Sequence, residues 1–322
     1  MVCQERKFSM DKCLECQAEF DNEVELHRHL RSHKLKIEDY YFKHFPRFDK
    51  SDGSLIRFKS KQFYFTHDFN TRTNFRRWLS KQDNATLRAY CIDFLKRRKE
   101  YKKLTYAPCQ VELRSLECLS IIGLNKIFKD SDYYKIAFQL GYIVQHEPLH
   151  LAYPSSLVYE PKDGIIWIDT REQNPLTFQV FSQLTTLSVG DYAFGTQDKK
   201  LPVVFERKSI SDFISSFGRD YERVKKEMKR GVATGAYIVV IVECDMKYAL
   251  VFNYLPSLPQ NIQVTPEFVF HNVRECCQEF PSVQFLFVKN RLEASRLIEK
   301  IFLSKGDLTR FDLQLAYDMN LI

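Results

Sequence analysis

One ten-residue stretch, VVFERKSISD at 203–212, constrains the fold of this chain more than any other. An apolar run ends abruptly in Glu206, Arg207 and Lys208, and a Ser-x-x-Asp helix start follows at once. Side chains alternate along a strand with a period of two, so Glu206 and Lys208 are expected on one face and Arg207 on the other. A carboxylate beside an ammonium at a strand end supplies the groups that metal-assisted phosphodiester hydrolysis requires.

The surrounding sequence predicts alternating strands and helices from Gly164 onwards. The predicted strands are GIIWID, LTTLSVGDYAF, LPVVFERK, AYIVVIVECD and VQFLFVKN, and the predicted helices are SISDFISSFGRDYERVKKEMKRG, EFVFHNVRECCQEF and RLEASRLIEKIFLSK. The run AYIVVIVECD is apolar and β-branched throughout, as expected of a strand that is buried on both faces. This alternation predicts an α/β fold with a central mixed sheet flanked by helices.

Four polar elements lie at the predicted strand ends or at the helix start that follows. They are Asp169-x-Arg171-Glu172, Gly190-Asp191, Glu206-Arg207-Lys208 and Asp212. In IDTRE, VGDY and ERKSISD the sequence closely resembles the XPF-type structure-specific endonuclease domain, and the resemblance covers residues 164–300. It implies a restriction-endonuclease-like fold and Mg²⁺-dependent (or Mn²⁺-dependent) hydrolysis of DNA near a single-/double-strand junction.

The resemblance also implies a role for each matching position. Asp191 and Glu206 would hold the magnesium through the hard oxygen ligands that this ion prefers. Lys208 would position the attacking water or help to deprotonate it, and would stabilise the developing phosphorane charge. Asp169 and Glu172 would complete the acidic site, while Arg171 and Arg207 would orient acids or contact a phosphate.

A structural alternative exists for Arg207, for Asp212 and for the basic residues of the helix that follows. Asp212 is either a site residue or the capping acid of the helix that begins after Ser209. Arg207 is either catalytic or part of a structural ion pair on the other sheet face. The basic residues of the following helix either meet DNA or form a solvated face; they are Lys225, Lys226, Lys229 and Arg230.

The N-terminal segment 13–33, CLECQAEFDNEVELHRHLRSH, has the spacing of a Cys-Cys-His-His zinc finger. Two thiolates from a tight hairpin, Cys13 and Cys16, and two imidazoles one helical turn apart, His29 and His33, can meet at a tetrahedral Zn²⁺. Phe20 and Leu26 would form its small core, which cannot hold without metal. In a DNA-reading finger the base-facing positions would be Asn22, Glu25 and Arg28. A structural or protein-docking finger is the equal alternative.

A basic and aromatic region separates the finger from the α/β region. Residues 34–104 hold 19 Lys and Arg against 8 Asp and Glu, and twelve aromatic residues lie between Tyr40 and Trp78. Such mixtures suit nucleic-acid binding, although most of these rings are expected in a core. Asp52-Gly53 predicts a hairpin turn. Residues 84–104 predict one helix. Residues 110–143 predict two helices, and the first of these two runs through QVELRSLECLSIIGLNKIF. The predicted domains are therefore a finger (1–36), a helix-rich domain of unknown type (37–155) and a nuclease domain (156–322).

Composition limits the remaining possibilities. The chain has 322 residues, a net charge of +7, nine cysteines and no long uncharged apolar run. It is expected to be intracellular with reduced cysteines, in the nucleus or in a prokaryotic cytoplasm, and to bind no membrane. The expected partner is branched or partly single-stranded DNA, with a homodimer or partner subunit also compatible with the family. The alternative function is a DNA- or RNA-binding scaffold with an inactive nuclease fold.

Overall fold

The chain divides into two compact units. The computed structural model describes residues 12–129, 132–149, 164–197, 199–256, 258 and 262–322. The units comprise Met1–Asp83 and Asn84–Ile322. The predicted boundary at 155/156 lies within 150–163, outside the described residues, so the three-domain division stays a prediction. Among the described residues, no helix is long and apolar enough to cross a membrane.

The described residues of the first unit form short helices joined by turns. Its helices are α1 (Glu23–His29), a 3-10 turn (Leu30–His33), α2 (Ile37–His44), α3 (Lys61–Thr66) and α4 (Arg72–Leu79). The side chains of Asn22, Ser60 and Thr71 each accept a backbone hydrogen bond and start α1, α3 and α4. The turn expected at Asp52-Gly53 is present, because Phe48 and Leu55 form an antiparallel bridge across it.

An aromatic cluster forms the core of the first unit. Tyr40, Tyr41 and Tyr64 are almost fully buried and share one cluster with Leu26 and Leu30. The rings of the basic region therefore serve mainly as core, as expected from their number. The same cluster contains Cys13, so the finger and the residues that follow it bury their apolar side chains together.

The second unit begins with four helices. They are α5 (Asn84–Lys102), α6 (Gln110–Arg114), α7 (Ile121–Phe128) and α8 (Tyr133–Gln139). The predicted helix over 84–104 is confirmed as α5, and its apolar stripe is buried; the stripe comprises Leu87, Tyr90, Cys91, Phe94 and Leu95. The prediction of one helix through QVELRSLECLSIIGLNKIF is wrong. Leu116 and Cys118 turn into the core between α6 and α7, and Ser120 starts α7 afresh by accepting from Gly123 N.

A six-stranded mixed sheet follows. Its strands are β1 (Ile165–Asp169), β2 (Ser182–Thr185), β3 (Tyr192–Thr196), β4 (Lys199–Lys208), β5 (Tyr237–Val242) and β6 (Val283–Phe287), in the order β2-β1-β3-β4-β5-β6. β3 runs antiparallel to β1 and β4, whereas the β1/β2, β4/β5 and β5/β6 pairs are parallel. The segment LTTLSVGDYAF was expected as one strand, but it contains the end of β2, a loop and the start of β3.

Helices cover both faces of the sheet. They are α9 (Ile210–Phe217), α10 (Tyr221–Ala233), α11 (Met246–Ala249), α12 (Pro266–Glu279), α13 (Arg291–Leu303) and α14 (Leu313–Asp318). Phe213, Met228 and Phe270, from α9, α10 and α12, share a buried cluster with Val204 and Val240. On the other face, Phe302 of α13 packs against the rings of Phe194 and Phe205. The predicted α/β fold with a mixed sheet between helices is confirmed.

One helix prediction fails beside the sheet. The segment 209–231 was expected as a single helix, but it breaks after Phe217 into α9 and α10. At Gly218 an added Cβ would lie 2.4 Å from the carbonyl oxygen of Ile214. The chain can therefore turn there only without a side chain, and α10 takes its own direction.

Candidate active site and metal centre

The carboxyl end of β4 delivers two functional side chains to one face of the sheet. The Lys208 ammonium lies 3.0 Å from Glu206 Oε1, and Lys208 is almost fully buried. Val204, two residues earlier, packs in the core beneath α9 and α10. The period of two thus places Glu206 and Lys208 beside these helices and turns Arg207 to the opposite face, as the sequence predicted.

Asp191 reaches the same place from the loop that precedes β3. Its backbone N–H donates to Phe205 O at 2.7 Å, and its Oδ2 accepts from the backbone N–H of Arg207 at 2.7 Å. Burial and the nearby charge of Glu206 raise the pKa of Asp191 to about 7. Two carboxylates that repel each other in a half-buried place form a donor set that a hard divalent cation would stabilise.

The turn at Gly190 makes this approach possible. Gly190 has φ of +73°, a conformation that favours glycine. An added Cβ would lie 2.8 Å from the carbonyl oxygen of Phe205 and 3.2 Å from Val204 Cβ. The Gly-Asp pair therefore lets the loop lie directly on β4, next to the two residues that precede Glu206.

Asp169 supports the site from the end of β1. Its carboxylate accepts from the side chain and backbone N–H of Arg171 at 2.7 and 2.8 Å, and from the backbone N–H of Leu187 at 2.7 Å. The Arg171 hydrogen bond lowers the pKa of Asp169 to about 2. Asp169 N–H also donates to Asp191 O at 2.8 Å. Asp169 therefore fixes the loop that carries Asp191.

Glu172 and Arg207 pair with each other away from the Glu206 side chain. The Arg207 guanidinium donates to both carboxylate oxygens of Glu172, at 2.9 and 3.1 Å, and to Glu243 at 3.2 Å. Arg291 donates to the same Glu243 oxygen at 3.3 Å. The structure thus gives Arg207 the ion-pair environment that was its structural alternative.

Glu243 had not been singled out in the sequence. It follows β5, which pairs in parallel with β4, and its N–H donates to Lys208 O at 3.0 Å. An acid directly after a buried parallel strand was the signal that could have indicated it, because neighbouring parallel strands end at one edge.

Asp212 lies at the first turn of α9. Ser209 Oγ donates to Asp212 Oδ2 at 2.7 Å, and the N–H of Asp212 donates to Ser209 Oγ at 3.1 Å. These are the contacts of a helix cap, and Asp212 is exposed. Its assignment to the catalytic site stays a prediction.

Three of the acids and the lysine share one open cleft of about 520 Å³, whereas Glu172, Glu243 and Asp212 are not among its lining residues. Among the residues that line it are Asp169, Arg171, Asp191, Glu206 and Lys208, together with Arg223, Glu227 and Arg230 of α10. Glu227 had not been considered from the sequence. The cleft therefore combines an acidic, oxygen-rich floor with cations from a neighbouring helix.

A second ligand cluster lies near the N-terminus. Cys13, Cys16, His29 and His33 each place one ligand atom within 4.8 Å of the others. Cys13 Sγ is 3.6 Å from His33 Nε2, and Cys16 Sγ is 3.2 Å from His29 Nε2. Two thiol sulfurs and two imidazole nitrogens at such separations fit around a tetrahedral Zn²⁺. The predicted Cys-Cys-His-His cluster is confirmed.

The chain thus contains an α/β domain with an acidic site at the ends of the strands of a mixed sheet. Residues 168–301 match the ERCC4 domain. This match confirms the resemblance of this part of the chain to XPF-type nuclease domains. No curated protein shows significant similarity to the chain.

Two solved structures of XPF from Aeropyrum pernix are similar to the chain. The one in complex with DNA aligns at 18% identity and a TM-score of 0.33, covering 45% of this chain and 64% of that one. The other aligns at 18% identity and a TM-score of 0.32, covering 49% of this chain and 70% of that one.

Proposed function

We propose that this protein is a metal-dependent DNA endonuclease that cleaves branched or partly single-stranded DNA. The observation that carries the proposal is the convergence of Asp191, Glu206 and Lys208 in one cleft of an ERCC4 domain. Asp191 and Glu206 are half-buried and Lys208 is buried; placing three ionisable groups there costs stability, which favours a functional reason for the trio. The alternative of an inactive nuclease fold is disfavoured because both candidate metal acids and the lysine are present.

Asp191 and Glu206 would hold Mg²⁺ or Mn²⁺. Their carboxylate oxygens match the preference of these ions. Burial and the nearby Glu206 charge raise the pKa of Asp191, and a bound cation would offset both effects. When bound, the metal would supply Lewis-acid activation of the phosphate and of water. Asp169 would hold the Asp191 loop in place through its 2.8 Å backbone hydrogen bond.

Lys208 would act on the attacking water and on the phosphate. Its ammonium is fixed 3.0 Å from Glu206 Oε1, so it stands next to the acid that would hold the metal. From that position it would orient the water and stabilise the negative charge that develops on the phosphorane. Its near-complete burial keeps this charge from being screened by solvent.

The N-terminal unit would contribute DNA binding and a zinc ion. Within this unit, residues 34–83 hold 12 Lys and Arg against 6 Asp and Glu, which favours binding of a polyanion. Cys13, Cys16, His29 and His33 would hold Zn²⁺ as a structural site. Of the predicted base-facing positions, Asn22 caps α1 by accepting from Glu25 N, which supports a structural finger over a base-reading one.

Cleavage of end-labelled substrates tests the proposal. Flap, fork, duplex and single-stranded DNA are incubated with the parent protein and with Glu206→Gln, Asp191→Asn and Lys208→Met, with and without Mg²⁺. We expect the parent to cut a junction substrate only with metal, and each variant to lose at least a hundredfold in rate.

The control is Lys247→Met. This lysine is exposed and pairs with Asp245 on α11, and it is not among the cleft residues. If the Glu206, Asp191 and Lys208 variants cut as fast as the parent protein, the assignment of the catalytic site is wrong. If the parent protein binds DNA but cuts none of the substrates, the nuclease assignment is wrong and the DNA-binding scaffold is the better assignment.

A further inference from the structure

Helix α10 presents a polar stripe to the cleft. Arg223, Glu227, Arg230 and Thr234 all line it. They recur at intervals of four, three and four residues, the spacing of one helix face. On the flank of α10 next to this stripe, Val224 and Met228 are buried in the core and also line the cleft. The stripe is thus fixed in direction by the packing behind it.

Gly231 brings this stripe close to the acids. An added Cβ at Gly231 would lie 2.8 Å from both Val189 Cγ1 and Ile238 Cδ1. Val189 is two residues before Asp191, in the loop that carries it. The C-terminal half of α10 therefore touches the site loop directly, and Arg230 is the residue immediately before that contact.

The charges of α10 differ in how they are paired. Arg223 donates to Glu227 at 2.6 Å in an exposed ion pair, and Lys225 pairs with Glu279 at 2.5 Å. Arg230, Lys226 and Lys229 form no ion pair within the described part of the chain, and all three are exposed. Arg230 is thus a cleft cation without an ion-pair partner among the described residues.

We propose that α10 is a phosphate-binding helix that holds the DNA backbone next to the cleavage site, with Arg230 as its main contact. The inference rests on the proposed nuclease function. Arg223 and Arg230 are seven residues apart, roughly 10 Å along the helix, which spans about three nucleotides of one strand. A planar guanidinium suits bidentate contact with a phosphate.

Glu227 limits this binding. It lies between the two arginines on the same stripe and neutralises Arg223 through their ion pair. Its own charge repels phosphate. Removing that charge should therefore strengthen DNA binding, in contrast to the loss expected for Arg230. A helix whose charges serve only solubility would show neither effect.

Fluorescence anisotropy with a labelled fork substrate, without Mg²⁺ so that the DNA stays intact, tests the inference. We expect Arg230→Ala to weaken binding about threefold to tenfold and to reduce the slope of log K against log salt by about 0.9. Glu227→Gln should strengthen binding, and Arg230→Lys should retain most of it. The matched control is Arg296→Ala, an exposed arginine on α13 at the other face of the sheet.

Cleavage by the same variants with Mg²⁺ separates the two proposals. A parent that cuts the fork, together with Arg230→Ala that binds and cuts like Arg296→Ala, overturns the role of α10 and leaves the nuclease assignment standing. A parent that does not cut overturns the nuclease assignment. Equal losses for Arg230→Ala and Arg296→Ala would show general charge effects and would also overturn the specific role of α10.

Discussion

The Tyr40 hydroxyl accepts a hydrogen bond from the backbone N–H of Leu14 at 3.0 Å and donates one to Lys12 O at 3.3 Å. Leu14 lies between the two cysteines of the finger, and Tyr40 belongs to the aromatic core. Two further contacts join these parts: His27 Nε2 lies 2.9 Å from the Tyr41 hydroxyl, and Glu15 pairs with Lys43 at 2.8 Å. The finger is thus built into the first unit.

Zinc removal should therefore unfold more than the finger. We expect a chelator or Cys13→Ser to abolish amide-exchange protection in α1, α2 and α3, because Cys13, Leu26, Tyr40 and Tyr64 share one core. Hydrogen exchange resolved by mass spectrometry measures this. Cys244→Ser, a buried thiol of the second unit, is the control and should leave these helices protected. Loss of protection limited to α1 would show an independent finger.

Gly190→Ala should disable the site without altering any ionisable group. The added Cβ meets Phe205 O at 2.8 Å in a backbone with φ of +73°, so the loop must shift and carry Asp191 with it. We expect a loss of about 1–3 kcal/mol in unfolding free energy and at least tenfold slower cleavage. Denaturant titration and the fork assay measure these two effects.

Gly235→Ala is the matched control for that change. Gly235 has φ of +81°, and an added Cβ there meets no atom within 4 Å. It should cost about 1 kcal/mol for the backbone strain alone and leave cleavage near the parent rate. If both variants cleave equally well, the Gly190 turn does not position Asp191.

The main effect of Arg207→Met should be a loss of stability and not a direct effect on the cleavage step. Glu172 and Glu243 are both largely buried against the Arg207 guanidinium. Removing the arginine deprives both carboxylates of their ion pair with it. We expect a loss of about 3–5 kcal/mol in unfolding free energy, well beyond that of Glu206→Gln. Chemical denaturation of both variants makes the comparison.

The double variant Glu172→Gln with Arg207→Met tests the cause. Because it removes one of the stranded charges, it should be more stable than Arg207→Met alone, with a coupling of about 0.5–3 kcal/mol. If the losses in unfolding free energy of the two single variants simply add in the double variant, Arg207 does not stabilise the protein through its ion pair with Glu172. If Arg207→Met slows cleavage far more than its loss of unfolding free energy explains, Arg207 has a catalytic role.

Local sequence patterns predicted much of the fold and part of the site. The alternation along β4 was enough to place Glu206 and Lys208 on one face, and this agrees with the structure because strand periodicity depends only on the backbone. The same reasoning placed Arg207 on the other face. Segment boundaries were less predictable. The breaks after Phe217 and before Tyr192 follow from close approaches to Ile214 and Phe205.

The sequence by itself determined which groups are available: four zinc-type ligands at finger spacing, and acids and a lysine at strand ends within the residues that match the ERCC4 domain. The tertiary structure decided how they are paired. Glu172 contacts Arg207 rather than remaining free, Glu243 joins them, and α10 brings Arg230 to the cleft. These relationships depend on strand order and helix packing between residues far apart in the chain, which local periodicity does not encode.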